Sequence, residues 1–117
     1  NRLNTLRLSL ISPLISTKKN NLKGTRGCNF SFWKKDVVKA NGYDEDIQEW
    51  GKEDTELSVR LINNGINKYK LKGKAICYHL HHKKSPRNSL ILNTKILKKS
   101  IKNKSKVCNN GIKKYGN

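Results

Sequence analysis

A chain of 117 residues is long enough for one small domain and not for two. Only 34% of it is apolar, which limits the core it can build by itself. Its 26 basic and 8 acidic residues leave a net charge of +18, which points to an anionic partner such as nucleic acid, a membrane surface or a phosphorylated substrate.

In chain order, Leu3, Leu6 and Leu10 fall at helical spacing and predict a short helix within residues 1–11, ended before Pro13. Residues 16–26 are polar and basic and read as an exposed loop. Residues 27–33 alternate, with Cys28, Phe30 and Phe32 on one side, and predict a strand. A short helix is expected over residues 34–40, with Gly42 placed to end it in the left-handed conformation. Residues 43–51 read as a loop. A second helix is expected from about Lys52 to Asn64, with Glu53, Asp54 and Glu56 in its first turn and Gly65 as its stop. Residues 66–73 read as a connection with a short extended piece. Alternation over residues 74–80 predicts a second strand. Asn88 is placed to cap a helix running to about Ile101, with Leu90, Leu97 and Ile101 on one side. Residues 102–117 read as a loosely held tail.

No run approaches the roughly 20 apolar residues of a membrane span. The apolar stretch 8–15 is broken by Ser9, Ser12 and Pro13, so it does not read as a secretory leader. Because the sequence opens on Asn1, it is expected to begin inside a longer protein. The three cysteines Cys28, Cys77 and Cys108 are odd in number and widely spaced. They form neither a disulfide framework nor a zinc finger, and a reducing cytoplasm is the simplest compartment.

The basic surplus is mostly Lys, 21 residues against 5 Arg, whereas Arg is the preferred residue for bidentate reading of bases and phosphates. The acids are more telling. All eight lie between Asp36 and Glu56. A glycine turn into an acidic helix start is common and contributes about 1 kcal/mol of helix stability. That explanation leaves Trp50 unaccounted for, and it does not require three carboxylates within four residues. A carboxylate at a helix start among other carboxylates can serve as a general base. Trp50 offers a flat apolar face, suited to stacking on a sugar ring or to packing in a core. His79, His81 and His82 end the second predicted strand, where His79 and His81 would share a face. Two imidazoles there can be structural or can bind a divalent metal, with carboxylates needed from elsewhere. Gly27 would let a ligand or another backbone approach closely.

Taken together, Gly27-Cys-Asn29-Phe-Ser-Phe-Trp-Lys-Lys-Asp36, Asn41-Gly42-Tyr43-Asp44-Glu45, Trp50-Gly51-Lys52-Glu53-Asp54-Thr55-Glu56-Leu57, Arg60-Leu61, Gly65 and Tyr78-His79-Leu80 resemble the C-terminal half of a GT-A glycosyltransferase. The likeness is to family 2 bacterial enzymes and to the galactosyltransferase C-terminal domain, over roughly residues 25–82. Residues 88–115 are similar, less specifically, to the tails of bacterial polysaccharide and lipopolysaccharide enzymes.

The resemblance implies an α/β chain with a partial GT-A fold, the C-terminal half of a mixed sheet with flanking helices. In that frame residues 1–24 are the remnant of a preceding segment, 25–82 the transferase domain and 83–117 a basic helical tail. It implies inverting transfer from a nucleotide-sugar to a saccharide or lipid-linked acceptor, in surface polysaccharide or lipopolysaccharide synthesis. Asp54 would be the catalytic base and Glu53 would hold hydroxyls. Trp50 and Gly51 would line the acceptor site, with Gly27 and Asn29 near the sugar. His79 would bind a divalent metal, Mn²⁺ or Mg²⁺. The family's Asp-x-Asp motif and its N-terminal nucleotide-binding half have no counterpart here, because Asp44-Glu45-Asp46 has the letters in another place. The chain is therefore expected to be inactive alone and to bring a metal site only together with that half. Its location would be cytoplasmic, peripheral at the inner face of the plasma membrane. The alternative is a non-enzymatic basic module that binds nucleic acid or an anionic surface. The clustered acids beside a tryptophan weigh against nucleic acid.

Overall fold

The computed structural model describes residues 8–83 and 85–116. Four helices and one two-stranded ribbon carry the chain: α1 (Ser12–Ile15), β1 (Thr17–Lys18), α2 (Lys34–Lys39), α3 (Glu53–Asn63), β2 (Tyr69–Lys70) and α4 (Leu90–Lys102). Short 3₁₀ turns occupy Gly27–Asn29 and Ile112–Tyr115. β1 and β2 pair antiparallel, Thr17 opposite Lys70 and Lys18 opposite Tyr69.

The helix expected within residues 1–11 lies mostly outside the described residues. In the described part Pro13 sits in the first turn of α1. A proline loses nothing at that position, because the first-turn amides have no intrahelical partner. α2 and α3 form where the pattern places them. Asn41 and Gly42 follow α2 with φ of 67° and 74°, and Gly65 follows α3 with φ of 85°. α4 is correct in extent, but Asn88 does not cap it. Its N-cap is Ser89, without a side-chain cap bond.

The two expected strands at 27–33 and 74–80 are absent. Phe30 is extended, with φ −140° and ψ 125°, and its ring meets that of Phe32 edge to face at 5.1 Å. Cys28 lies in the 3₁₀ turn, so the predicted alternation fails at its start, and no ladder forms. The Gly27 amide goes to the Asp54 carboxylate and the Asn29 amide to the Arg26 carbonyl. The Ala75 carbonyl accepts from the Asn29 side chain. Backbone groups committed to turns and side chains are lost to sheet pairing.

The core is small. Ala40, Leu57 and Leu61 are buried, with Phe30, Val37 and Ile66 packed against them. The radius of gyration is 15.6 Å, against about 13 Å for a compact domain of this length. Polar contacts supply much of the remaining order. Glu56 and Arg60, one turn apart on α3, are both fully buried. Arg60 Nη2 donates to Glu56 Oε2 at 2.6 Å and Nε donates to the same carboxylate at 2.9 Å. Arg60 Nη1 donates to the carbonyls of Ala40 (2.5 Å) and Gly42 (2.8 Å). Ser100 Oγ on α4 donates to Glu56 Oε1 at 2.9 Å. One ion pair thereby joins α3, the end of α2 and α4.

The C-terminal segment is not the loose tail expected. Asn63 and Asn64 donate their side-chain amides to the carbonyls of Ser105 and Lys106. Asn41 donates to the Cys108 carbonyl at 2.8 Å and accepts from the amides of Ile112 and Lys113. Glu45 pairs with Lys114 at 2.6 Å and accepts from the Tyr115 hydroxyl. Cys108 is buried, which pushes its thiol pKa up. The Arg60 charge acts against that shift, and Asp44 and Glu56 add to it. These are side-chain contacts between distant residues, which local periodicity does not encode.

Candidate functional site

The loop between α2 and α3, residues 43–52, carries the site. Its backbone is unusual: Glu49, Gly51 and Lys52 have φ of 57°, 113° and 80°. Left-handed conformations in residues other than glycine cost about 1 kcal/mol or more each, so surrounding contacts must hold them. Glu53 Oε2 reaches back to accept the Gly51 amide at 2.8 Å. Asn93 on α4 is fully buried and donates its side-chain amide to the carbonyls of Gln48 (2.8 Å) and Gly51 (2.9 Å). Its Oδ1 has no partner among the described residues. Glu49 Oε2 accepts the Ser89 amide and hydroxyl, each at 3.2 Å. A side chain at position 51 would put Cβ 2.9 Å from Leu90 Cδ1, so α4 packs close against this glycine.

Asp54 stands in the first turn of α3. Its Oδ2 accepts the Gly27 amide at 2.6 Å, and its Oδ1 faces the Tyr43 hydroxyl at 3.4 Å. The chain meets Asp54 there only because residue 27 is glycine: a Cβ would lie 2.5 Å from Oδ1. Tyr43 holds its proton more firmly than an ordinary phenol, first through burial and then through the neighbouring Asp54 and Glu53 carboxylates. It therefore stays a donor to Asp54.

Trp50 is 44% exposed. The Arg87 guanidinium lies over its ring, 4.6 Å from the centroid. The structure thus gathers Asp54, Glu53, Gly51, Trp50 and Gly27 at one loop and helix start. Asn29 is tied to Ala75 by a 3.2 Å side-chain bond, one turn of chain from Gly27. Tyr43, Arg87, Ser89 and Asn93 join the site without having been singled out. Arg87, Ser89 and Asn93 bear no motif, and only the packing of α4 on the loop reveals them.

The histidines pair differently from the sequence pattern. His79 meets His82, not His81: the two Nε2 atoms are 3.0 Å apart. His82 Nδ1 lies 2.9 Å from the Lys83 carbonyl. That carbonyl can only accept, so His82 Nδ1 carries the hydrogen, its Nε2 accepts, and His79 Nε2–H donates. Among the described residues no group of three or more His, Cys, Asp and Glu side chains could hold a metal. Two imidazoles alone leave most of a divalent metal's coordination shell to other donors. Asp44, Glu45 and Asp46 are used for structure. Asp44 Oδ1 accepts the Asp46 amide, and Asp46 accepts from the Asn110 side chain.

No helix among the described residues is long and apolar enough to cross a membrane. Residues 12–83 match a family described as the N-terminal domain of galactosyltransferase. That span contains every sequence-predicted site residue, Gly27, Asn29, Trp50, Gly51, Glu53, Asp54 and His79, and stops short of α4. Its description names an N-terminal domain, where the sequence resemblance pointed to a C-terminal half. No curated protein and no solved structure matches the chain.

Proposed function

The chain belongs to the galactosyltransferase family, and from that premise we propose that its 43–54 loop and the Gly27 turn form the acceptor side of an inverting GT-A glycosyltransferase. Family membership gives sugar transfer in general terms, with a nucleotide-sugar donor and an acceptor. The proposal adds the half, the residues and their roles. The observation that carries it is the Asp54 carboxylate, fixed at a helix start between the Gly27 amide and the Tyr43 hydroxyl.

In this reading an acceptor hydroxyl reaches Asp54 Oδ1, the oxygen with the weaker contact. Asp54 takes its proton as the oxygen attacks the anomeric carbon, and the bond to the nucleotide diphosphate breaks with its electron pair leaving on phosphate. The Gly27 amide keeps the carboxylate oriented throughout. Glu53, anchored on the Gly51 amide, holds the loop in shape and presents its second oxygen to a hydroxyl. Trp50 is the platform under the acceptor ring, and Asn29 sits beside the donor sugar. A divalent cation, Mn²⁺ or Mg²⁺, belongs to this proposal only with donors beyond the described residues, His79 being the contribution of this chain. The proposed setting is surface polysaccharide or lipopolysaccharide synthesis, peripheral at the inner face of the plasma membrane. The net charge of +18 supports it. The proposed architecture remains a partial GT-A fold, on the strength of the family match.

Saccharide titration of the ¹⁵N-labelled chain tests the reading. The Gly27 and Gly51 amides and the Trp50 indole N–H are expected to shift together. If saccharides leave them unmoved while single-stranded nucleic acid shifts the basic residues, the acceptor site is overturned in favour of a basic binding module.

A further inference from the structure

We propose that Arg87 makes this site selective for acceptor saccharides that carry an anionic group, a carboxylate or a phosphate. The inference rests on Trp50 being the acceptor platform. Arg87 is exposed, and its guanidinium carbon lies over the Trp50 ring, 4.6 Å from the centroid. A guanidinium over an indole face is attracted to the ring and still has N–H donors to offer a carboxylate or phosphate. Among the described residues no carboxylate pairs with it: the ion pairs are those of Arg60 with Glu56 and Lys114 with Glu45.

The nearby acids are committed elsewhere. Glu49 gives its carboxylate to Ser89, Glu53 to the Gly51 amide and Asp54 to the Gly27 amide. The Arg87 guanidinium is therefore a solvent-facing cation beside the platform with no carboxylate partner among the described residues. The loop that carries Trp50 is held, because Asn93 bonds the carbonyls of Gln48 and Gly51 and Glu49 ties the same loop to the start of α4. Trp50 is 44% exposed even with Arg87 over it, which leaves indole surface for the apolar face of a pyranose. A sugar stacked there would place an acidic substituent against the guanidinium, in the bidentate geometry that carboxylate and phosphate share. The charge of the whole chain favours the same sign of ligand.

The test uses the Trp33→Phe chain, in which Trp50 is the sole tryptophan, and reads its fluorescence. The probes are three oligosaccharides of equal length, ending in glucose, in glucuronate or in glucose 6-phosphate. The acidic probes are expected to bind about tenfold more tightly than the neutral one. Within Arg87→Gln, the acidic probes should bind no more tightly than the neutral one. Arg87→Lys should restore only part of the advantage, because an ammonium lacks the guanidinium fork. A preference confined to one acidic probe names the anion. Equal affinity for all three probes, or an advantage that survives Arg87→Gln, overturns the proposal while the acceptor site stands. If no saccharide perturbs Trp50, the acceptor reading falls and this inference with it. Circular dichroism of each variant checks that the exposed substitution leaves the fold intact.

Discussion

Replacing Arg60 with methionine removes five donated hydrogen bonds from the centre of the molecule while keeping an unbranched apolar stem. Glu56 is then a fully buried carboxylate whose remaining partner is the Ser100 hydroxyl. The carbonyls of Ala40 and Gly42 lose their donor. Breaking one side of a buried pair costs about 3–5 kcal/mol, because the surviving charge is left uncompensated. Each orphaned carbonyl can add about 1–3 kcal/mol where water cannot reach it. Small domains are stable by about 5–15 kcal/mol in total, so Arg60→Met is expected to remove half of the stability or more. Urea denaturation followed by far-ultraviolet circular dichroism reads this as a lower midpoint. The double variant Arg60→Met/Glu56→Leu should recover part of the loss, since no charge then remains buried. A loss below about 1 kcal/mol in Arg60→Met would refute the reasoning, because it would place the pair in water.

Asn93→Leu should cost about 1–3 kcal/mol and loosen the Trp50 loop, seen as faster amide exchange at residues 48–52. Unchanged exchange there would separate α4 from the site. Burial raises the Cys108 thiol pKa, so its folded value lies above its unfolded one. The stabilisation it contributes is complete below the ordinary thiol range and is lost as pH rises through the raised value. Melting temperature should therefore fall more steeply with alkaline pH in the natural chain than in Cys108→Ala, and equal slopes would deny Cys108 that role. The chain should sediment with anionic vesicles at low salt and not with neutral ones, and lose that binding as salt rises. Binding to neutral vesicles would contradict an electrostatic attachment.

Much of the helical framework was legible. An acidic first turn and a closing glycine bracket α3, and the same kind of stop ends α2. The Glu56–Arg60 spacing marks an ion pair on one helix face, but its burial depends on where Ala40, Gly42 and Ser100 come to lie. Alternation at Cys28, Phe30 and Phe32 predicted a strand, but Cys28 lies in a 3₁₀ turn and the extended backbone begins after it, at Phe30. A strand also needs a neighbour, and the period of one segment does not say whether it has one. The docking of residues 105–115 rests on asparagine side-chain amides acting across the fold, which leaves no pattern in sequence. At the site, the resemblance brought Gly27 and Asp54 together although 27 residues separate them. Asn93 and Arg87 stayed hidden because α4 reads as an ordinary amphipathic helix.

The most direct test is sugar transfer in the longest expressible form of the protein, followed as nucleotide diphosphate release. The assay supplies a panel of nucleotide-sugars, a saccharide acceptor and Mn²⁺, and compares Asp54→Asn with Glu53→Gln. If Asp54 is the base, Asp54→Asn should lower kcat by about 10²–10⁴-fold with donor KM little changed, and Glu53→Gln should lower it less. Near-normal turnover in Asp54→Asn would remove Asp54 as the base and with it the acceptor site built around it.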